Sequence, residues 1–163
     1  GPPVVYLNVP SQEMKNVTQK LLEDGLPVWM GCDVGKQMHR ERGLWDAKLF
    51  DFAELYGTEF GMDKANRLRY SQTMMTHAML FTGVDVVDGV PRRWRVENSW
   101  GAKKSGEEGF YTMNDSWYDE HMFEIAAPTD YLTERMKKGL STTPVVLPAW
   151  DPMGSLAKDE AAL

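Results

Sequence analysis

Residues 87–90 read Val-Asp-Gly-Val, and no other four residues constrain this chain as much. Asp-Gly between apolar runs is a strong short-range hairpin signal, because a two-residue turn needs positive φ at both central positions. Upstream, Met75 to Val87 is apolar and becomes β-branched toward its end; downstream comes Arg92 to Asn98. The pattern predicts an antiparallel β-hairpin with His77 near one outer end and Asn98 near the other. The ends of paired antiparallel strands are neighbours in space, so these two side chains are expected to meet.

The flanking sequence reads as α+β. Ser11 to Asp24 has helical periodicity, with Met14, Val17, Leu21 and Leu22 on one face. Ser11 is the expected N-cap, and Gly25 followed by Pro27 is the expected stop. Val28 to Val34 is short and apolar between Pro27 and Gly35, which predicts a buried strand. Lys36 to Gly61 is aromatic-rich and broken by glycines, which predicts irregular chain with short helical turns. A helical turn is expected over Asp63 to Tyr70 and a strand over Gly109 to Met113. A short helix capped by Asp115 or Ser116 should run through Glu120. A strand over Phe123 to Ala126 and a helix over Thr129 to Lys138 complete a lobe spanning 1–139.

Residues 140–163 differ. Pro144, Pro148 and Pro152 forbid a regular helix or central strand. Yet Val145, Val146, Leu147, Trp150, Met153 and Leu156 make the segment too apolar for a disordered tail. It is expected to be an extended arm that packs on something.

Composition excludes several classes. The net charge of −6 does not describe a general nucleic-acid or anionic-membrane surface. No apolar run reaches the roughly 18 residues that span a bilayer, and no leader pattern opens the chain. The Gly-Pro-Pro opening without Met reads as an internal start or a cloning scar. Cys32 is the single cysteine, so no intrachain disulfide forms and a cytoplasmic setting is the default. Neither His39 nor His121 has zinc-ligand spacing. Both read as surface residues, with no metal and no cofactor expected.

An amide facing an imidazole has a chemical use. It fixes the ring's tautomer and direction without adding a full charge, which suits a thiolate–imidazolium pair. Trp100 would keep water off that bond. The plain alternative is a core histidine beside ordinary Asn-Ser turn chemistry, and the local residues leave both readings open.

Longer stretches carry a resemblance. LPVWMGCDVGK (26–36), MTHAM (75–79), WRVENSWG (94–101), GEEGFY (106–111) and LPAWDPMG (147–154) resemble the bleomycin hydrolase and aminopeptidase C branch of the papain-like cysteine peptidases. The likeness runs through Lys158 in family order. It implies the β-rich lobe of a papain-like fold, with His77 as general base and acid, Asn98 as its orienting partner and Trp100 as its shield. It implies peptide substrates, aminopeptidase activity and a homohexamer. The family's nucleophilic Cys lies upstream, at the start of a helix in the other lobe, with a Gln shortly before it. Cys32 does not fit that role: Asp33 follows it instead of an aromatic residue, and His77 lies only 45 residues on. The expectation is a C-terminal portion that is inactive without that N-terminal lobe. The alternative is a catalytically dead lobe kept for binding or assembly.

The resemblance also implies that the arm, Pro148, Ala149, Trp150, Asp151, Pro152, Met153, Gly154, Ser155, Leu156, Ala157 and Lys158, lies along the active-site cleft. There a terminal carboxylate would hold the substrate's free amine. Asp159 to Leu163 extend beyond it. Either the intact enzyme trims its own tail near Ala157 or Lys158, or the extra residues turn away into solvent. The family includes nucleic-acid binders with a basic inner channel. Here Arg92, Arg93, Arg95, Lys103 and Lys104 are few, and read better as a solvated face.

Overall fold

The computed structural model describes residues 5–103 and 106–148. The arm from Ala149 to Lys158 and the tail beyond it lie outside the described residues. The hairpin forms as expected from Asp88 and Gly89, which take φ of 52° and 78°, the paired positive values such a turn requires. Its strands are β4 (His77–Val87) and β5 (Val90–Glu97), paired from Val87↔Val90 to Leu80↔Glu97.

Around it the sheet grows to seven strands. In chain order these are β1 (Val28–Cys32), β2 (Met38–His39), β3 (Leu44–Trp45), β4, β5, β6 (Phe110–Asn114) and β7 (Met122–Ile125). Their spatial order is β2-β3-β6-β5-β4-β1-β7. The β3–β6 pair is parallel and the others are antiparallel. Gly31 of β1 is needed for close approach. A Cβ there would meet Met75 Sδ at 2.1 Å and Glu124 Cγ at 2.8 Å, so any larger residue must displace the Met75 and Glu124 side chains.

One sheet face carries the core. Val28, Met30, Cys32, Phe81, Trp94, Val96, Tyr111 and Met113 are buried at alternate positions of their strands, as one-sided burial of a strand demands. Helix α1 (Ser11–Glu23) closes over this face with Met14, Val17, Thr18 and Leu21. Its end is a Schellman motif: Leu26 N donates to Leu21 O at 2.9 Å and Gly25 N to Leu22 O at 3.0 Å, with Gly25 at φ 78°. At its start Pro10, not Ser11, is the N-cap. The Pro10 carbonyl accepts from Glu13 N and Met14 N, which makes Ser11 the first helical residue.

Other boundaries also shift. The strand from Val28 ends at Cys32. The stretch 36–61 contains the two-residue strands β2 and β3 and the helix α2 (Phe52–Tyr56), and α3 (Lys64–Arg69) follows. Helix α4 (Asp115–His121) has Asn114 as its N-cap. Asp115 does not cap it, because its carboxylate is engaged by Lys15 Nζ at 2.7 Å and Trp94 Nε1 at 3.0 Å. The expected helix over 129–138 divides into a 3-10 turn at Thr129–Tyr131 and α5 (Glu134–Leu140), which Thr133 caps through Met136 N. Residues 143–148 have no regular structure, and Val145 and Val146 stand 84% and 91% exposed. Among the described residues no helix is long and apolar enough to cross a membrane.

Candidate active site

The open end of the hairpin brings together His77, the first residue of β4, and Asn98, the first residue after β5. His77 Nε2 lies 2.8 Å from Asn98 Oδ1. The backbone N–H of Ser99 donates to the same Oδ1 at 2.8 Å. An oxygen that accepts from Ser99 fixes the amide orientation, so His77 Nε2 carries the hydrogen and donates. That leaves Nδ1 of a neutral ring with a lone pair, free to take a proton. Asn98 is buried, its N–H donates to Gly109 O at 3.1 Å, and its Nδ2 has no partner among the described residues. The Trp100 indole stacks on the His77 ring with centroids 5.0 Å apart and planes 28° from parallel.

His77 is also held from behind. Thr76 N donates to Cys32 O at 2.9 Å, and Val34 N donates to Thr76 Oγ1 at 3.0 Å. Three residues further back, Thr73 Oγ1 donates to the buried Asp33 carboxylate at 2.7 Å. Asp33 is therefore a structural carboxylate that pins the loop entering β4.

Cys32 pairs across the sheet with His77, and its thiol contacts the His77 backbone, not the ring nitrogens. Sγ is 3.7 Å from the His77 backbone carbonyl and fully buried. Burial first, and the Asp33 charge second, push the thiol well above its usual range. A protonated, water-free sulfur is not a nucleophile at neutral pH.

On the sheet face opposite the His77 side chain, a groove of about 320 Å³ is lined by Tyr6, Trp29, Met30, Ala78, Glu124, Ile125 and Ala126. Glu124 Oε2 is buried there without a hydrogen-bond partner among the described residues. No pattern in the sequence marks Glu124, because its burial depends on the register of β7 against Gly31.

The other two histidines separate. His39 is half-buried in β2, with Nδ1 accepting from Arg42 N. His121 is not a surface residue: it is 9% exposed, packed on Trp117, and its Nδ1 has no partner among the described residues. The spacing of Trp117, Tyr118 and His121 on one helical face was the available signal. Burial, then the charges of Arg67, Lys36 and Lys64, lower its pKa to about 3. Below about 6.5 the unfolded chain binds a proton at this residue that the folded chain refuses. Stability must therefore fall as pH drops from about 6.5 toward 3, by up to about 1.4 kcal/mol per pH unit from this group. Urea midpoints at pH 7 and pH 4.5 should differ less for His121→Gln than for the unmodified protein. Equal differences would mean that His121 takes up its proton in the folded state.

Arg92, Arg93 and Arg95 lie exposed on β5, with the Arg95 guanidinium 3.7 Å over the Phe110 ring centroid.

Comparison with known proteins identifies the family. Residues 1–154 match the model of the Peptidase C1-like family, and the chain belongs to that family. It is 42% identical to an aminopeptidase C of Listeria innocua over 96% of its own length. It is 40% identical to human bleomycin hydrolase over 97% of its length. In both cases it spans 35% of the relative. The crystal structure of pepw from Lactobacillus rhamnosis superposes with a TM-score of 0.84 at 41% identity, covering 90% of this chain and 33% of that one. The fold is the β-rich, α+β lobe of the papain-like peptidases, in the branch that the motifs indicated.

Proposed function

We propose that this chain is the His- and Asn-bearing, C-terminal part of a cysteine aminopeptidase of bleomycin hydrolase type, with the nucleophilic thiol supplied from outside these residues. The observation that carries the reading is the His77 Nε2–Asn98 Oδ1 bond of 2.8 Å under the Trp100 ring. Asn98 fixes the Nε2–H tautomer, so Nδ1 takes the proton from the incoming cysteine thiol. The thiolate attacks the peptide carbonyl, and the tetrahedral species collapses to a thioester as His77 protonates the leaving amine. His77 then draws a proton from water, which hydrolyses the thioester and regenerates the thiol. Positioned proton transfer of this kind contributes roughly 10²- to 10⁴-fold. Peptides, and amide analogues such as bleomycin, are the proposed substrates. A cytoplasmic homohexamer is the proposed setting.

The buried Cys32 supports a second reading, a catalytically dead lobe that serves in binding or assembly. One measurement separates the two: intact mass after the natively purified protein meets an electrophilic, peptide-like thiol probe. The expected result is an adduct on a cysteine other than Cys32. An adduct at Cys32 would overturn the placement of the nucleophile, and no adduct at all would favour the dead lobe.

A further inference from the structure

Trp100 follows the end of β5 by three residues and lies in a turn. No hydrogen bond among the described residues anchors its indole, so packing alone sets the ring. Three groups pack on it. His77 lies on one face at 5.0 Å. The Tyr111 ring meets it edge-on at 6.1 Å and 83°. The Arg40 guanidinium covers the ring with Cζ 4.8 Å from the centroid.

The Arg40 side chain is exposed, but its backbone is fixed. Its carbonyl accepts from Gly43 N at 3.2 Å and from Gly106 N at 3.1 Å. The second bond ties the turn between β2 and β3 to the loop that carries Trp100. Gly43 and Gly106 make that approach possible: a Cβ on Gly43 would lie 2.6 Å from Gly106 Cα, and one on Gly106 would lie 2.3 Å from Phe110 O. Both have positive φ, 61° and 65°, so both positions favour glycine for conformation as well as space. The backbone thus holds Arg40 in register with the indole.

We propose that Arg40 is a positioning residue, a cationic clamp that holds Trp100 over the His77–Asn98 bond. The inference rests on the proposed role of His77. An indole is the best ring for a cation, and a planar guanidinium also stacks on it in a way that an ammonium cannot. At an exposed site the contact biases the ring's position by roughly two- to fivefold. With Trp100 seated, water is kept from Asn98 Oδ1 and His77 Nε2–H, and the less polar surroundings strengthen that bond. With Trp100 released, the imidazole spends less time aimed at the thiol. Arg40 acts on the imidazole only through Trp100, so its loss should act on kcat.

The test uses the natively purified peptidase. Arg40→Met keeps much of the stem and removes the cation. It should lower kcat roughly two- to fivefold with KM unchanged, and Arg40→Lys should lower it less. In a Trp100→Ala background, Arg40→Met should add nothing, because Arg40 acts only through Trp100. A second measurement needs no turnover: in protein labelled with 15N-histidine, exchange of the His77 Nε2–H with water should quicken by a similar factor in Arg40→Met. Wild-type kcat and exchange in Arg40→Met would overturn the proposal, as would an equal cost with and without Trp100. If His77→Ala keeps full activity, the catalytic reading has failed instead, and the exchange rates alone decide whether Arg40 clamps Trp100.

Discussion

His77→Ala should reduce kcat/KM of the natively purified peptidase by about 10⁴-fold, the upper range for a positioned acid–base group, while the melting temperature stays put. The stability half follows from the site's position. His77 is half-buried at the end of a strand, and its main side-chain contacts are Asn98 and Trp100. The activity half follows from the single free lone pair at Nδ1: neither other histidine contacts the His77 ring, since His39 lies in β2 and the His121 ring packs on Trp117. Asn98→Ala should be milder, because the ring keeps its chemistry and loses its direction. Asn98→Asp should not rescue it fully, since a carboxylate adds charge where the amide added none. Progress curves with an aminoacyl amide, read alongside melting curves, check all three. A His77→Ala variant within tenfold of wild type would remove His77 from the mechanism.

The His–Asn contact was legible because its cause is local. Asp88-Gly89 fixes a turn, the turn fixes the register, and the register fixes which side chains stand at the open end. Helix α1 was legible for the same reason: a stretch of steady period ended by Gly25 needs no information from elsewhere. The segment 36–61 was not. Strands β2 and β3 hold two residues each, too few to show a period. They exist because Trp45 stacks on Tyr111 at 4.5 Å and β3 pairs in parallel with β6, partners more than sixty residues away. The polar side chain of His121 concealed its place on the buried face of α4. Within the site, the Ser99 N–H and the Arg40 clamp left no sequence signal, because a backbone donor and a cation–π contact impose no spacing. Motif resemblance supplied what periodicity could not, namely the chemistry proposed for a His and an Asn at one sheet end.

Trp94→Ala should cost about 3–5 kcal/mol of folding stability, the usual range for emptying a large aromatic site. Trp94 is 1% exposed in the middle of β5, between β4 and β6. Its ring packs on Phe81 at 5.4 Å and on Tyr118 at 4.9 Å, so it joins the sheet to α4. Its Nε1 also donates to Asp115, whose other oxygen meets Lys15 of α1. Removing the indole therefore opens a cavity and takes one donor from the carboxylate that ties α1 to α4. Asp115 is partly solvated, so water replaces that donor and the cavity dominates. Trp94→Phe, which fills most of the space and loses only the donor, should cost clearly less. For a domain of this size, 3–5 kcal/mol lowers the melting temperature by roughly 6–20 °C, which thermal melts of the two variants would resolve. If Trp94→Ala melted within a degree or two of wild type, the core would not be organised around this ring. Because β5 runs directly into Asn98, Trp94→Ala should lose the site and the fold in one transition, whereas His77→Ala loses the chemistry with the fold intact. That contrast separates what builds the sheet end from what reacts there.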